Sequence, residues 1–210
     1  MLKRFLFLLA AVFCITEISS AQNQVSIAEN TNQNAGYFNT TELSFSKGFL
    51  KENTSFYTGL QTINGYRFNK HISAGIGVGV DQYFYENYNE NGYKTGETYL
   101  PVFTDMRVHF GKGKTQPFFS QAVGYMFCIR QLTEFRDSEY YNNIGGIMIN
   151  PAFGVTTALS EKTALNFSLG YRFQEVTIKN IPYYYYNSYP FYQSVTWSAH
   201  YLTLKAGLTF

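Results

Sequence analysis

Beyond its first 21 residues, the sequence has no apolar run long enough to cross a membrane as a helix. Such a crossing takes about 20 consecutive apolar residues, so a helical membrane protein is excluded. Charged residues are also scarce at 14% of the chain, whereas roughly a quarter is usual. Aromatic residues reach 19%, almost all of them Tyr and Phe. Together these features indicate a β-structure that faces an unusual solvent.

Cysteine is nearly absent, with two residues in 210. Cys14 lies in the apolar N-terminal segment, so removal of that segment leaves only Cys128, and one thiol cannot form an internal disulfide. The net charge of +2 includes Lys3 and Arg4, so the rest of the chain is nearly neutral and predicts no nucleic-acid partner. We expect no cofactor or metal, because Gly113–Thr115 copies only the end of a phosphate-binding loop and no helix follows it.

The N-terminus has the three parts of a secretory signal peptide. A basic start, Met1–Arg4, is followed by the apolar run Phe5–Ile15 and then by the small residues Ser19, Ser20 and Ala21. This pattern predicts cleavage after Ala21. The expected organisation is therefore a signal peptide over residues 1–21 and one domain over residues 22–210.

Alternation of apolar and polar residues, the pattern of a half-buried strand, is clear in four segments. These are Ile72–Tyr83, Tyr99–Phe110, Ala164–Gln174 and the segment that ends at Phe210. Four weaker strands are predicted at about Tyr37–Ser46, Phe56–Phe68, Phe119–Phe127 and Ile147–Val155. The first two of these alternate poorly and are inferred mainly because a closed sheet of this kind needs an even number of strands.

The predicted connections alternate between short and long. The short ones are Asn69–His71, Gly111–Gln116 and Ser160–Lys162; the long ones are about Lys47–Thr54, Phe84–Glu97, Gln131–Tyr141 and Glu175–Thr196. Outer-membrane barrels have tight periplasmic turns and longer extracellular loops. The sequence therefore predicts an all-β, eight-stranded antiparallel up-and-down transmembrane β-barrel, with its short turns in the periplasm.

The residues on the two strand faces distinguish a membrane barrel from a soluble lipocalin-like barrel or sandwich. The polar face is built from very small residues, which suit the crowded interior of eight strands: Gly75, Gly77, Gly79, Gly124, Ala152, Gly154, Gly170 and Gly207. The apolar face carries aromatic residues near strand ends, as interfacial girdles do: Tyr66, Phe68, Tyr171, Phe173 and Phe210. We therefore predict that the apolar face contacts lipid.

The segments Thr62–Phe68 and Leu100–Arg107, the signal peptide and the terminal Phe210 resemble the small outer-membrane β-barrel proteins of Bacteroidota. These are similar in plan to OmpX-type and OmpA-type barrels. The resemblance implies an outer-membrane location, contact with outer-membrane lipid, and recognition of Phe210 by the barrel-assembly machinery. Lys205 departs from the usual C-terminal assembly signal, which prefers glycine there.

Seven charged residues fall on the inward face of the predicted register. They are Glu42, Arg67, Asp81, Asp105, Arg107, Arg172 and Lys205. Because an unpaired charge is costly in a narrow interior, we expect pairing or hydration. A structural plug that fills the lumen is the favoured interpretation, and a gate or narrow ion path is the alternative.

Two outer features offer further candidates. The last loop is rich in aromatic residues that suit surface contact or adhesion, or that simply extend the outer girdle: Tyr183, Tyr184, Tyr185, Tyr186, Tyr189, Phe191 and Tyr192. Ser198 and His200 share a face and resemble, in reversed order, the lipid-facing pair of barrel enzymes that act on lipid A. We predict a monomeric, non-enzymatic envelope protein without a catalytic residue, with a lipid-modifying enzyme or a narrow channel as alternatives.

Overall fold

The computed structural model describes residues 35–48, 55–87, 92–111, 113–130, 142–183 and 191–210, so the predicted signal peptide lies outside the described residues. Eight strands account for nearly all of them. They are β1 (Gly36–Gly48), β2 (Phe56–Arg67), β3 (Ile72–Asn87), β4 (Gly92–His109), β5 (Thr115–Arg130), β6 (Asn142–Ala158), β7 (Ala164–Tyr183) and β8 (Phe191–Thr209).

The strands form a closed barrel in which each pairs antiparallel with its sequence neighbours and β8 returns to β1. The predicted fold class is confirmed. Closure pairs the backbone of both edge strands, which is what a sheet needs where no water is available. Within the described ranges, no helix has the length and the apolar character needed to span a membrane.

Three short turns lie at one end of the barrel, at residues 68–71, 110–114 and 159–163. We call this the short-turn end and the opposite end the loop end. At the loop end two of the predicted loops are wrong, because Phe84–Glu97 and Glu175–Thr196 are mostly strand. Register shifts between Gln82 and Phe84 and between Ile178 and Ile181 change the strand phase there. On β7 the two-residue period continues to the buried Ile178, so the prediction ended this strand too early at Gln174.

The two faces of the sheet have the predicted contents. Large apolar side chains are exposed on the outside, for example Leu43, Ile76, Phe153 and Leu204 at 64%, 66%, 69% and 55% of their surface. The predicted small residues point inward. A side chain at Gly77 would overlap the ring of Phe103, its partner on β4, so glycine there makes room for an aromatic residue inside the barrel.

Two aromatic rings bound the apolar outer surface. The ring at the short-turn end contains Tyr37, Tyr66, Phe68, Phe110 and Phe210, and the ring at the loop end contains Phe56, Phe84, Phe127 and Phe173. Ten residues separate Phe56 from Tyr66 on β2, about 33 Å along a strand. At the usual tilt this corresponds to about 25 Å of height, the thickness of the apolar band of outer-membrane barrels.

Candidate functional site

The middle of the lumen is occupied by a cluster of three charged side chains, Glu42, Asp105 and Arg107. The Arg107 Nη2 donates to Glu42 Oε1 at 2.7 Å, and its Nε donates to Asp105 Oδ1 at 2.7 Å. Gln61 donates to the other oxygen of Glu42, also at 2.7 Å. All three charged residues are at most 4% exposed. Arg107 thus forms an ion pair with each of two carboxylates that β1 and β4 would otherwise leave unpaired inside the barrel.

A second ion pair lies next to this cluster, towards the loop end. Arg172 on β7 donates from Nη2 to Asp81 Oδ2 on β3 at 2.8 Å, across the full width of the barrel. Its Nη1 donates to the Tyr57 hydroxyl at 2.6 Å, and its guanidinium lies 4.5 Å from the centre of the Tyr57 ring. One buried polar atom, Arg172 Nε, has no partner. The pair fixes opposite walls of the barrel to each other.

A layer of four tyrosines fills the lumen at the loop end: Tyr57, Tyr83, Tyr99 and Tyr201, each at most 3% exposed. Their rings pack with centroids 4.8–5.9 Å apart. The Tyr83 hydroxyl donates to Gln174. The tyrosine layer therefore closes the lumen through side-chain contacts, and each described hydroxyl within it has a polar neighbour.

Glu97 is a buried lumen carboxylate that the sequence analysis missed, because it placed this residue at the end of a loop. The structure has it on β4, 2% exposed. Its carboxylate accepts hydrogen bonds from the Tyr99 hydroxyl at 2.6 Å and the Asn143 amide at 2.8 Å. Alternation counted back from the inward Phe103 and Tyr99 places Glu97 inside, so extending the predicted strand by two residues would have found it.

Lys205 and Arg67 complete the set of predicted inward charges. Lys205 on β8 is half-buried opposite Ser44 and lies close enough to Glu42 and Asp105 for electrostatic attraction. Arg67 lies at the short-turn end opposite the buried Ser73. The described lumen thus holds as many cations as acids: Arg67, Arg107, Arg172 and Lys205 against Glu42, Asp81, Glu97 and Asp105. The interior is neutral when all eight are charged.

Glycine at position 59 makes space for the Asp81–Arg172 pair, and its replacement by alanine tests this. A Cβ at Gly59 would overlap Asp81 Oδ1 and lie 2.6 Å from Ser44 Oγ. We expect Gly59→Ala to lower the free energy of unfolding by about 1–3 kcal/mol, the usual range for overpacking. Urea unfolding in lipid vesicles measures it.

The matched control for this substitution is Gly36→Ala on β1, where an added Cβ meets nothing within 4 Å. We expect that control to unfold like the unmodified protein. Equal stability of the two alanine variants would contradict the tight packing around Asp81.

The candidate residues outside the lumen are only partly brought together. Ser198 is exposed and His200 half-buried on the outer face, and the His200 Nδ1 hydrogen bonds to the Tyr171 hydroxyl at 2.6 Å. Glu175 lies opposite Ser198 across the β7–β8 pair.

The aromatic loop falls mostly outside the described residues. Tyr184, Tyr185, Tyr186 and Tyr189 lie there entirely. For Tyr183, Phe191 and Tyr192 only the backbone is described, in the paired ends of β7 and β8. The predicted surface-contact role of this loop therefore stays a prediction.

Two solved structures share the architecture. The crystal structure of Neisserial surface protein A (NspA) has a TM-score of 0.56 at 12% identity, covering 84% of this chain and 97% of that one. The crystal structure of the outer membrane protein OprG from Pseudomonas aeruginosa has a TM-score of 0.54 at 13% identity, covering 86% and 99%. No family model matches the sequence, and no curated protein matches it either. At these identities the likeness establishes the fold.

The closed barrel and the distribution of polarity on its two faces define an integral outer-membrane β-barrel protein. In the described strands no Asp, Glu, Lys or Arg side chain points outward between the two aromatic rings. A barrel dissolved in water has the opposite distribution, with its apolar side chains enclosed. Within this class the chain is a small eight-stranded barrel whose lumen is filled by its own side chains.

Proposed function

We propose that this protein is a non-enzymatic, monomeric structural barrel of the outer membrane, with its loop end outside and its short-turn end in the periplasm. The observation that carries the proposal is the filled lumen. The cluster around Arg107, the Asp81–Arg172 pair and the tyrosine layer succeed one another along the barrel axis. An interior of this width is just large enough to be filled in that way.

The rest of the proposal concerns export and assembly. The signal peptide at residues 1–21 directs secretion, and Phe210, exposed at the short-turn end, is the residue for the barrel-assembly machinery to recognise. The resemblance of Thr62–Phe68 and Leu100–Arg107 supports an origin in Bacteroidota. Closure of β8 on β1 leaves the barrel complete within one chain, which supports a monomer.

The narrow-channel alternative makes a different prediction about conductance. We expect the purified protein to give no stepwise current in planar bilayers over a range of voltages and salt concentrations, because packed side chains occupy successive levels of the described lumen. Insertion is checked in parallel by heat-modifiable gel mobility of the same preparation. Reproducible current steps from an inserted, folded sample would overturn the structural-plug interpretation.

A positive control for the conductance experiment comes from the tyrosine layer. The double variant Tyr83→Ala and Tyr99→Ala removes two rings that are at most 1% exposed in the lumen. We expect it to show more frequent or larger current fluctuations than the unmodified protein, since the loop half of the lumen then admits water.

A further inference from the structure

The lumen at the short-turn end has an unbalanced positive charge. A small cavity opens there, lined in part by Arg67, Ser73, Arg107, His109 and Asn166. We propose that this cavity, which we call the short-turn mouth, binds a phosphate group, with Arg67 as the principal ligand. The proposal is independent of the structural role above, since it concerns one end of the barrel and not the packed layers.

Arg67 differs from the other two lumen arginines in having no anion. Arg107 has two carboxylates and Arg172 has one, at 2.7–2.8 Å. No described residue forms an ion pair or hydrogen bond with the Arg67 side chain, and its Nε is buried without a partner. A buried donor without an acceptor costs about 1–3 kcal/mol, more when the group is charged. Arg67 is therefore poised to gain from an anion that comes from outside the chain.

The residues around Arg67 supply no negative charge. No carboxylate is among the described residues that line the cavity. The lining hydroxyls and the amide are already bonded to one another: Thr40 with Thr209 at 2.7 Å, Asn166 to Thr209 at 2.7 Å, and Thr156 to Asn166 at 2.7 Å. These neutral groups satisfy one another, and none of these three bonds involves Arg67.

The turns around the mouth add positive charge. Lys70, Lys114 and Lys162 are exposed in the three short turns, where Glu161 is the one exposed acid among the described turn residues. A concentration of one sign of charge attracts counter-ions from a distance. The end of the barrel that collects these groups is the same end that holds the unpaired Arg67.

Phosphate is the anion that suits this position. The guanidinium group offers a planar fork of donors that matches two phosphate oxygens. Arg67 stands between Tyr66 and Phe68, both about half exposed in the aromatic ring that marks the membrane–water boundary. Phospholipid phosphates lie at that depth, and free phosphate reaches it from the water.

The size of the cavity limits how far the ligand enters. The cavity is partly open and its volume is about 10 Å³, room for about one water molecule. A phosphate group therefore sits at the opening, on the half-buried Arg67, and does not pass into the lumen. The site is a rim contact for one anionic group and does not open a path through the barrel.

The test follows the Arg67 side chain directly. The ¹⁵N-labelled protein in zwitterionic micelles is titrated with inorganic phosphate, with chloride at equal ionic strength as the reference, and the Arg67 Nε–H resonance is recorded. We expect a saturable shift with phosphate and none with chloride. In a second arm the protein is placed in nanodiscs of phosphatidylcholine with or without phosphatidylglycerol, and the same resonance is compared with that in micelles.

Variants separate a site from a general charge effect. Arg67→Gln is expected to weaken phosphate binding at least about tenfold, as loss of a charge-assisted hydrogen bond implies. Arg130→Gln, which removes an exposed arginine at the loop end, is expected to leave it unchanged. Gel mobility confirms that both variants fold, and the titration of the unmodified protein stands without them.

The outcomes divide clearly. A shift with inorganic phosphate supports a site open to the free ion, and a shift in nanodiscs alone supports a lipid phosphate as the source. No shift in either arm overturns the proposal. An equal shift with chloride also overturns it, because simple screening then explains the effect, and so does equal weakening by Arg67→Gln and Arg130→Gln.

Discussion

Replacing Arg107 by methionine is expected to lower the free energy of unfolding by about 3–5 kcal/mol, the usual result of breaking a buried ion pair from one side. Arg107 holds both Glu42 and Asp105 at 2.7 Å. Without it two buried carboxylates lie close together, and Lys205 is the remaining cation that attracts both among the described residues. Methionine keeps much of the side-chain volume, so the loss reports charge and not a cavity.

Urea unfolding in lipid vesicles measures this loss, with the single tryptophan, Trp197, as the fluorescent probe. Trp197 is 58% exposed on the loop-end part of β8, away from the substitution. The matched control is the triple variant Glu42→Gln, Asp105→Asn and Arg107→Met, which removes all three charges together. We expect it to recover most of the stability, because replacing a whole buried ion group by neutral residues is often close to neutral.

If Arg107→Met unfolds at the same urea concentration as the unmodified protein, the cluster does not hold the lumen together. If the triple variant is as unstable as the single one, shape and not charge explains the loss. Either result would contradict the conclusion that ion pairs stabilise the filled lumen.

The second large effect concerns the outer face. Leu204→Arg is expected to cost about 2–4 kcal/mol, the penalty for arginine near the middle of the bilayer on a lipid-facing strand position. Leu204 is 55% exposed and pairs with Leu169, whose side chain is 50% exposed on the same face. Its position on β8 is roughly midway between Phe210 and His200, which are level with the two aromatic rings.

The Leu204→Arg substitution distinguishes a surface that faces lipid from one that faces water, because the expected loss of stability differs between the two. On a surface that faces water, a change at an exposed leucine usually alters stability by no more than about 0.5 kcal/mol. Gln193→Arg serves as the control on the same strand, since Gln193 is exposed at the loop end beyond the apolar band. Its expected cost is about 0–1 kcal/mol. If Leu204→Arg and Gln193→Arg both lowered the free energy of unfolding only slightly, contact between the apolar face and hydrocarbon would be contradicted.

The sequence predicted the strands best where local patterning and the membrane impose the same constraint. In β7 and β8 near Phe210, apolar residues must alternate with small or polar ones, because one face meets lipid and the other a crowded lumen. The pattern is therefore visible one strand at a time. In β1 and β2 it is weaker, since Asn39, Thr62 and Asn64 point outward at the short-turn end and hydrogen bond to one another.

At the loop end the alternation of apolar and polar residues did not predict where the strands end. The bulges near Gln82 and Ile178 shift the alternation by one position, and a bulge is set by pairing with the neighbouring strand. Glu97 and the stretch from Gln174 to Ile178 still follow the two-residue period, but the prediction ended both strands early and assigned these residues to loops.

The sequence by itself determined a closed eight-stranded barrel with an apolar exterior, and it placed seven charged residues on the inner face. Only the tertiary structure decided which charges meet. Arg107 finds Glu42 across 65 positions of sequence and Arg172 finds Asp81 across 91, while Arg67 finds no acid among the described residues. The physical reason is that a two-residue period fixes which face a side chain occupies, whereas its height and its neighbours across the lumen depend on the stagger of all eight strands at closure.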